Sequence, residues 1–175
     1  MKQRGWWILV GLWFTACASG LGYYSISHIQ TFDPHLTLNQ AAAGQDFDKQ
    51  LSATLAQAAV LPGTLLHIRP EGECYCDTLA RTHLRALGEA LPSYSIKSMS
   101  VSSLPGVSRW LTRLPALALL DKNGEVRYLG PYALGAGCFS GNTLETRIIA
   151  LANSSLRSPG AVVISDATGC FCDAA

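Results

Sequence analysis

The chain has 175 residues, of which 49% are hydrophobic and 14% are charged, a composition that allows a buried core and excludes an intrinsically disordered chain. Its 13 basic and 12 acidic residues give a formal net charge of +1, which gives no reason to expect nucleic acid as a partner. Neither a glycine-rich nucleotide-binding loop nor a zinc-protease motif occurs, so we predict one ordinary domain, a shorter additional segment and no bound cofactor.

An uncharged apolar segment follows a short positive head at the start of the chain. Gly5 to Ile26 contains no charged residue, and about 20 apolar residues are enough for a helix to cross a membrane. Paired tryptophans near its start and paired tyrosines near its end match the aromatic belts of membrane helices. Lys2 and Arg4 precede the segment, so the positive-inside rule leaves the head in the cytoplasm. We therefore predict that residues 1–26 are a single-pass anchor in a bacterial inner membrane, with the remaining chain in the periplasm.

The same segment allows three other interpretations. Ala16 and Ala18 are small residues of the kind found at signal-peptide cleavage sites, and the sequence from Phe14 to Cys17 resembles a lipoprotein lipidation site. The small residues of the segment also fit a face that packs against another membrane helix. All of these interpretations place the remaining chain in the same oxidising compartment, where cysteines are either in disulfides or act on them.

Cysteine is the unusual component of this chain. The six cysteines are Cys17, Cys74, Cys76, Cys138, Cys170 and Cys172. Four of them form two C-x-C pairs, CYC and CFC. Free cysteines also serve as small buried hydrophobic residues, but core packing does not favour a repeated C-x-C spacing. The pairs therefore indicate thiol chemistry, cross-linking or metal binding.

Two predicted elements separate the anchor from the CYC pair. Residues 27–45 contain a proline, a glycine and little periodicity, which predicts a polar tether. Apolar residues then recur at helical spacing from Phe47 to Ala58, and the sequence Leu61-Pro62-Gly63 ends this predicted helix.

The stretch from Leu65 to Leu91 predicts a strand, a turn, the CYC pair and a helix. A proline and a glycine break the short apolar run, and after the cysteines apolar residues recur at steps of four, three and four. Cys74 and Cys76 therefore fall at the start of the helix. The free N–H groups and the positive dipole end at a helix start stabilise a thiolate, which is the form of cysteine that attacks disulfides and binds soft metals.

The rest of the chain predicts a hairpin, a helix and short strands. An Asn-Gly pair at the hairpin tolerates the positive φ of a tight turn, and Asn142 with Glu145 forms a capping-box pattern. The predicted elements are a strand at 94–101, a short helix or loop at 104–111, a buried strand at 116–120, its return near 126–128, a helix after Asn142 and a last strand at 161–164.

This order of elements resembles the thioredoxin fold. The most specific part is Leu114-Pro115 followed by an apolar strand, the Asn123-Gly124-Glu125 hairpin and Gly130, which is similar to the thioredoxin segment that begins with a cis proline. The resemblance covers residues 46 to 153. It implies an α/β fold with a thioredoxin-like central sheet flanked by helices. It also implies that Pro115 is cis, faces the active-site cysteines and receives the backbone of a substrate.

The chain departs from thioredoxins at the cysteines themselves. Thioredoxins carry W-C-G-P-C, whereas this chain has G-E-C-Y-C, so either Cys74 matches their first cysteine or Cys76 their second. Their buried Asp is missing from the preceding strand, and His67 falls near its position in one of the two registers. We predict an anchor at 1–26, a tether at 27–45, a thioredoxin-like domain at 46–157 and a cysteine-containing extension at 158–175.

The first functional hypothesis is a membrane-anchored thiol–disulfide oxidoreductase whose partners are protein thiols and disulfides. Cys74, nearest the helix start, is the predicted attacking thiolate, and Cys76 resolves the mixed disulfide. Pro115 joins them as a catalytic residue because of the resemblance. The accessory candidates are His67, Cys138, Cys170 and Cys172. His67 is either a proton relay or a strand histidine bonded to the backbone, and Cys138 is left unpaired if each C-x-C pair closes on itself.

Two other classes of function remain open. Four cysteine sulfurs suit Cu(I) or Zn(II) if the C-terminus folds back near Cys74, with His83 predicted to lie on the surface instead of binding the metal. Alternatively, a structural bridge from Cys74 or Cys76 to the CFC pair fastens the extension to the domain. That bridge removes the nucleophile and leaves a non-catalytic binding module.

Overall fold

A five-stranded mixed sheet with helices on both faces forms the centre of the protein. The computed structural model describes residues 2–27, 29–135, 144–155 and 160–174. The described helices are α1 (Lys2–Ser27), α2 (Thr37–Ala42), α3 (Phe47–Gln57), α4 (Tyr75–Ala90), α5 (Pro105–Ser108) and α6 (Glu145–Asn153). The described strands are β1 (Ile29–Thr31), β2 (Thr64–Arg69), β3 (Ser95–Ser100), β4 (Arg113–Leu114), β5 (Ala116–Leu120), β6 (Val126–Gly130), β7 (Val162–Val163), β8 (Thr168–Cys170) and β9 (Cys172–Asp173).

The strands of the sheet lie in the order β3-β2-β5-β6-β7. β2 runs parallel to β3 and antiparallel to β5, β5 runs antiparallel to β6, and β6 runs parallel to β7. Two short pairs lie outside this sheet, because β1 pairs with β8 and β4 pairs with β9, both antiparallel. The mixed α/β class predicted from the sequence is confirmed at this level.

Alternation along the central strands divides the core into two layers. Ala116, Ala118 and Leu120 of β5 pack on the side of α2, α3 and α5, whereas Leu117 and Leu119 pack on the side of α4 and α6. Successive side chains of a strand point to opposite faces, so an apolar run such as β5 is buried on both. The same alternation in β2 turns His67 towards the α4 side, the face that Leu65 also contacts.

The predicted hairpin and the two long helices of the domain are confirmed. Apolar residues at helical spacing place Phe47, Leu51 and Leu55 of α3 in the core. Between β5 and β6, the Asp121 carboxylate accepts the backbone N–H of Asn123 and of Glu125. Gly124 in this turn has a φ of 80°, a conformation that glycine adopts without a steric penalty.

The N-terminal helix α1 is the one helix in the described ranges that is long and apolar enough to span a membrane. Its apolar part, Gly5–Tyr24, has 20 residues and a mean hydropathy of 1.3, and none of it is buried inside the protein. Signal sequences near an N-terminus have the same properties. The side of the membrane on which the domain lies stays a prediction.

The prediction of a polar tether over residues 27–45 is wrong. β1 pairs with β8, and α2 places Leu38 in the core. Phe32 is 2% exposed and contacts Phe171, with the two ring centroids 5.0 Å apart. The segment contains few apolar residues, and many of its contacts are with distant residues, such as Trp110 and Ala167. Local periodicity therefore gave no sign that it is ordered.

Three sequence-based predictions lie outside the described residues. They are the assignment of Cys138 as the leftover thiol, Asn142 as the N-cap of the last helix and the domain boundary after residue 157. The helix expected after Asn142 is present as α6, and Ile148 is its fully buried residue.

Replacement of Phe32 by alanine tests the packed state of residues 29–42. Phe32→Ala should lower the free energy of unfolding by about 3–5 kcal/mol, because it removes a buried aromatic ring and leaves a cavity. Leu61→Ala is the matched control, since Leu61 is 69% exposed and its loss should change stability by less than about 0.5 kcal/mol. Urea unfolding of the full chain in detergent micelles, followed by tryptophan fluorescence, measures both variants. Equal effects of the two substitutions would contradict the packing described above.

Candidate functional site

The CYC pair lies at the start of α4, as the sequence predicts. Cys74 is the N-cap residue in an extended conformation, and Cys76 is buried in the first turn at 6% exposure. The backbone N–H groups of Asp77 and Thr78 point back to the carbonyl oxygen of Cys74. The side chain of Cys74 makes no capping hydrogen bond, so its sulfur is directed to other contacts.

The C-terminal segment returns to this helix start along two short strand pairs. In the first pair Cys170 lies opposite Ile29, and in the second Cys172 lies opposite Leu114. Phe171 is buried between the two cysteines and contacts Phe32. The CFC pair is therefore held in an extended conformation against both the strand after α1 and the strand before Pro115.

Each cysteine of CYC is bonded to one cysteine of CFC. The outer disulfide joins Cys74 to Cys172, and the inner disulfide joins Cys76 to Cys170. Their Cα–Cα distances of 6.3 Å and 5.4 Å lie in the usual range for disulfides. Neither C-x-C pair closes on itself, so the pairing is the one that the sequence analysis gave as a bridge to the extension.

The two disulfides differ in their access to solvent. Cys76 and Cys170 are 6% and 4% exposed, whereas Cys74 and Cys172 are half-buried. The sulfur atoms of Cys74, Cys76 and Cys172 all lie within 4.8 Å of one another. A thiolate formed at the outer disulfide is therefore close to the inner one.

Two open clefts reach the outer disulfide. The larger has a volume of about 670 Å³ and is lined by Cys74 but not by Cys172, with Arg69 and Arg81 on its walls. The smaller has a volume of about 210 Å³ and is lined by both cysteines. A thiol of another molecule thus has a path to the sulfur of Cys74.

A buried chain of polar side chains lies next to the cysteines. Asp77, one residue after Cys76, accepts a hydrogen bond from Arg81 at 3.0 Å and contacts the Nε2 atom of His67 at 2.8 Å. The Nδ1 atom of His67 lies 2.7 Å from the hydroxyl oxygen of Tyr132. His67, Asp77 and Tyr132 are 1%, 6% and 2% exposed, so water does not compete for these bonds.

The electrostatics of this network determine where its protons lie. Burial lowers the pKa of His67, and the neighbouring Asp77 only partly offsets this effect. Burial also raises the pKa of Tyr132 well above its ordinary range, with a further contribution from Asp77. The neutral His67 ring therefore donates a hydrogen bond from Nε2–H to Asp77 and accepts one at Nδ1 from the Tyr132 hydroxyl. His67 is bonded to side chains, which excludes the interpretation of a strand histidine bonded to the backbone.

A second buried histidine lies beside this network. The sequence analysis places His83 at the surface, but it is 8% exposed because Glu145 of α6 and the ring of Tyr132 cover it. Its Nδ1 atom lies 2.7 Å from a carboxylate oxygen of Glu145. The prediction was wrong because α6, 62 positions away, packs across this face of α4.

Pro115 lies next to the strand pair that holds Cys172. The Leu114–Pro115 peptide bond is cis, as the resemblance implies. Leu114 pairs with Cys172, and Cys172 is bonded to Cys74, so all three predicted catalytic residues lie at one locus. Among the accessory candidates, His67, Cys170 and Cys172 belong to the same locus.

Sequence reasoning missed three residues of the site. Asp77 had a local signal, since an acidic residue in the first turn four positions before Arg81 predicts an ion pair. Tyr132 and Arg113 had none. Arg113 forms an ion pair with Asp173 at 2.8 Å and also donates to Gln30, both of which are distant in the sequence.

The lowered pKa of His67 predicts how stability depends on pH. Its ordinary pKa is 6.5, so between that value and its lower folded pKa the unfolded chain binds a proton that the folded chain does not. The free energy of unfolding should therefore fall as the pH falls below about 6.5. Urea unfolding of the full chain in detergent, between about pH 7 and pH 5, measures this slope.

The matched variants for this measurement are His67→Gln and His35→Gln. His67→Gln should reduce the slope, whereas His35 is exposed and its replacement should leave the slope unchanged. An identical slope in the parent chain and in His67→Gln would show that His67 is not the group that resists protonation.

Comparison with known proteins places the site inside a family. The model of the family described as Domain of unknown function (DUF6436) matches residues 40–174. This range includes the four cysteines of the two disulfides and excludes α1. No curated protein and no solved structure matches the chain. Because the matched range covers more than half of its length, the chain belongs to the DUF6436 family.

Proposed function

We propose that the protein is a membrane-anchored, thioredoxin-like thiol–disulfide exchange protein that acts outside the cytoplasm through its four-cysteine cluster. The observation that carries the proposal is the mutual proximity of three sulfur atoms, those of Cys74, Cys76 and Cys172, within 4.8 Å at a helix start. This arrangement lets one incoming dithiol change the bonding of four cysteines.

The fold supports the thioredoxin-like part of the proposal. The elements that carry the resemblance occur in the expected order: α3, β2, a C-x-C pair at the start of α4, β3, a short helix, a cis proline, the β5–β6 hairpin, Gly130 and α6. The CYC pair and Leu114 come from distant parts of this order and lie together through the disulfide to Cys172.

The location outside the cytoplasm rests on the helix and on the disulfides. α1 is long enough to anchor the chain, and Lys2 and Arg4 lie before its apolar part. Disulfides between cysteines 98 and 94 positions apart persist in oxidising compartments and are rare in the cytoplasm. Both features fit a domain on the periplasmic side of a bacterial inner membrane.

A purely structural role explains one disulfide better than two. In the loop-entropy model, closing a loop of about a hundred residues stabilises a fold by about 4.7 kcal/mol. Once the outer disulfide has formed, the inner one closes a ring of only about six residues, for which the same expression gives about 2 kcal/mol. The second bridge therefore adds only about half the stabilisation of the first, and its position beside the first makes it a suitable partner for disulfide exchange.

The exchange can be written as a balanced series of steps. The thiolate of a partner dithiol attacks Cys74, forms a mixed disulfide and expels Cys172 as a thiolate, which takes up a proton. The second thiolate of the partner then attacks the partner sulfur that is bonded to Cys74. The partner leaves with an internal disulfide, and Cys74 is released as a thiolate. Cys74 next attacks Cys76, which forms a Cys74–Cys76 disulfide and expels Cys170. Two electrons and two protons pass from the partner to the protein.

The surroundings of Cys74 favour these steps. The helix start stabilises the Cys74 thiolate, which makes it a good leaving group when the partner resolves. The wall of the larger cleft carries charges of both signs, with Arg69 and Arg81 beside Glu71, Glu73 and Asp77. The His67, Asp77 and Tyr132 network provides a neutral histidine next to the cluster as a relay for protons.

Alkylation mapping should reveal the intermediate that these steps require. When the native full chain in detergent is treated with limiting dithiothreitol, mass spectrometry should find a species in which Cys170 and Cys172 are alkylated and Cys74 is bonded to Cys76. A background with Cys17→Ser and Cys138→Ser removes the other thiols. If both disulfides resist reduction until urea unfolds the chain, they are a brace and the proposal is wrong.

Metal binding is a second candidate because of the same proximity. Full reduction turns the cluster into four thiols, and thiolates bind Zn(II) or Cu(I) at sulfur–metal distances of about 2.3 Å. Such distances require sulfur atoms within roughly 4 Å of one another, close to the spacing that the three sulfurs already have.

Metal analysis of the reduced chain tests this candidate. The fully reduced full chain, exposed to Zn(II) or Cu(I) without oxygen and then desalted, should retain one equivalent of metal per chain. Cys76→Ser should lose most of it, whereas Cys17→Ser, whose replaced thiol lies in α1, should retain it. Retention of less than a tenth of an equivalent by the parent chain would exclude the metal role.

A further inference from the structure

The C-terminal tail, residues 171–174, pairs with the strand β4 through backbone hydrogen bonds and one ion pair. Its strand β9 pairs antiparallel with β4, with Asp173 opposite Arg113 and Cys172 opposite Leu114. The backbone N–H of Ala174 donates to the carbonyl oxygen of Thr112 at 3.0 Å. In the part of the chain that the structure describes, β4 has no strand partner other than β9.

We propose that the edge Thr112–Leu114, beside Cys74, is the docking site for an extended segment of a partner protein in which a cysteine is followed by an acidic residue. The tail of the protein itself has this pattern, Cys172 followed by Asp173, and it occupies the same edge. This inference rests on the proposed exchange function and names the substrate class of the same site.

The backbone of β4 provides the docking edge. A short strand whose strand partner among the described residues is a releasable tail presents N–H and C=O groups that need a new partner once the tail leaves. Addition of an extended peptide to such an edge is a common mode of recognition, because main-chain hydrogen bonds supply affinity independently of sequence. The register then decides which side chain of the peptide meets which group of the protein.

That register brings a cysteine to Cys74. The residue opposite Leu114 is Cys172, and its sulfur is bonded to Cys74. A partner cysteine in the same register occupies the same place. After the tail has been released and Cys74 is bonded to Cys76, the partner thiolate attacks Cys74 and expels the Cys76 thiolate. The product is a mixed disulfide with the geometry that the tail shows.

Arg113 provides the preference for an acidic residue after the cysteine. Its guanidinium lies 2.8 Å from a carboxylate oxygen of Asp173, a side chain that is itself 71% exposed, whereas that of Arg113 is 22% exposed. Arg113 also donates to the side chain of Gln30 in β1. Because a second contact holds the guanidinium, it stays in place when Asp173 leaves and is ready for the carboxylate of a partner.

The tail competes with the partner for this edge. It is attached to the domain, so its effective concentration is in the range of millimolar, well above that of a dilute partner. Reduction of the outer disulfide removes a covalent bond between the tail and α4, so the tail is bound less tightly. The exchange described above leaves Cys170 and Cys172 as thiols. After one two-electron reduction only noncovalent contacts hold the tail, so a partner can displace it from the site.

A peptide-exchange assay tests the inference. The probe is the peptide Gly-Ser-Phe-Cys-Asp-Ala-Ala, which carries the tail sequence with one cysteine. The proteins are full chains in detergent with Cys17→Ser and Cys138→Ser, either with an intact CFC pair or with Cys170→Ser and Cys172→Ser and a Cys74–Cys76 disulfide. Mass spectrometry follows the formation of the mixed disulfide between the peptide and Cys74.

Three results are expected. The chain without CFC cysteines should react about tenfold faster than the chain with the intact pair, because no disulfide then holds the tail on the edge and the peptide can displace it. A peptide with lysine in place of the aspartate should react about two- to fivefold more slowly, as expected for a partly exposed ion pair. Arg113→Gln should remove this difference between the peptides, whereas Arg85→Gln, at an exposed position of α4, should retain it.

A modified peptide keeps the test independent of how the variants fold. N-methylation of the alanine that follows aspartate removes the N–H that pairs with the carbonyl of Thr112, and it should slow the reaction severalfold. Equal rates for the aspartate, lysine and N-methyl peptides would overturn the docking edge. If glutathione exchanges at Cys74 while the aspartate peptide reacts no faster than the lysine and N-methyl peptides, the docking site is wrong and the proposed exchange function stands. If no thiol exchanges at Cys74 in the folded chain, the proposed function fails with it.

Discussion

The nested pairing of CYC with CFC is the constraint on which the rest of the site depends. Two disulfides tie the start of α4 to a tail almost a hundred residues later, and they bring four sulfurs together, two of them half-buried and two buried. Everything that contacts the tail is thereby brought to the helix start: the strand β4, the cis peptide bond before Pro115 and the strand β1. The two disulfides therefore fix the start of α4 relative to β8 and β9.

This constraint also connects the cluster to the part of the chain that follows α1. β1 directly follows α1 and pairs with β8, which ends at Cys170. Phe171 packs on Phe32 between the two disulfides, so the aromatic contact and the sulfur bonds support one another. Besides the disulfides, the tail is held by short-strand hydrogen bonds, the Arg113–Asp173 ion pair and the contact between Phe171 and Phe32. Covalent and noncovalent contacts together therefore hold the tail between β1 and the start of α4.

The polar network behind the cluster shows how burial and charge act together. His67 comes from the central strand, Asp77 from the first turn of α4 and Tyr132 from the segment after β6, and each is buried where an unpaired polar group would be costly. The three side chains form hydrogen bonds with one another, and the Asp77 carboxylate also pairs with Arg81 at the surface. The result is a fixed path of hydrogen bonds from the core to the larger cleft beside Cys74.

The sequence by itself determined the elements whose signals are local. Apolar spacing gave α3 and α4, an apolar run and an Asn-Gly turn gave the β5–β6 hairpin, and the charge-free segment gave α1, because these patterns reflect neighbours within a few positions. Only the tertiary structure decided the bonding of the cysteines, since four cysteines allow three pairings that no local pattern distinguishes. It alone also decided that residues 29–42 are packed, that His67 meets Tyr132 and that Arg113 meets Asp173. Each of these contacts joins residues far apart in the chain, and their proximity is a property of the path of the folded backbone.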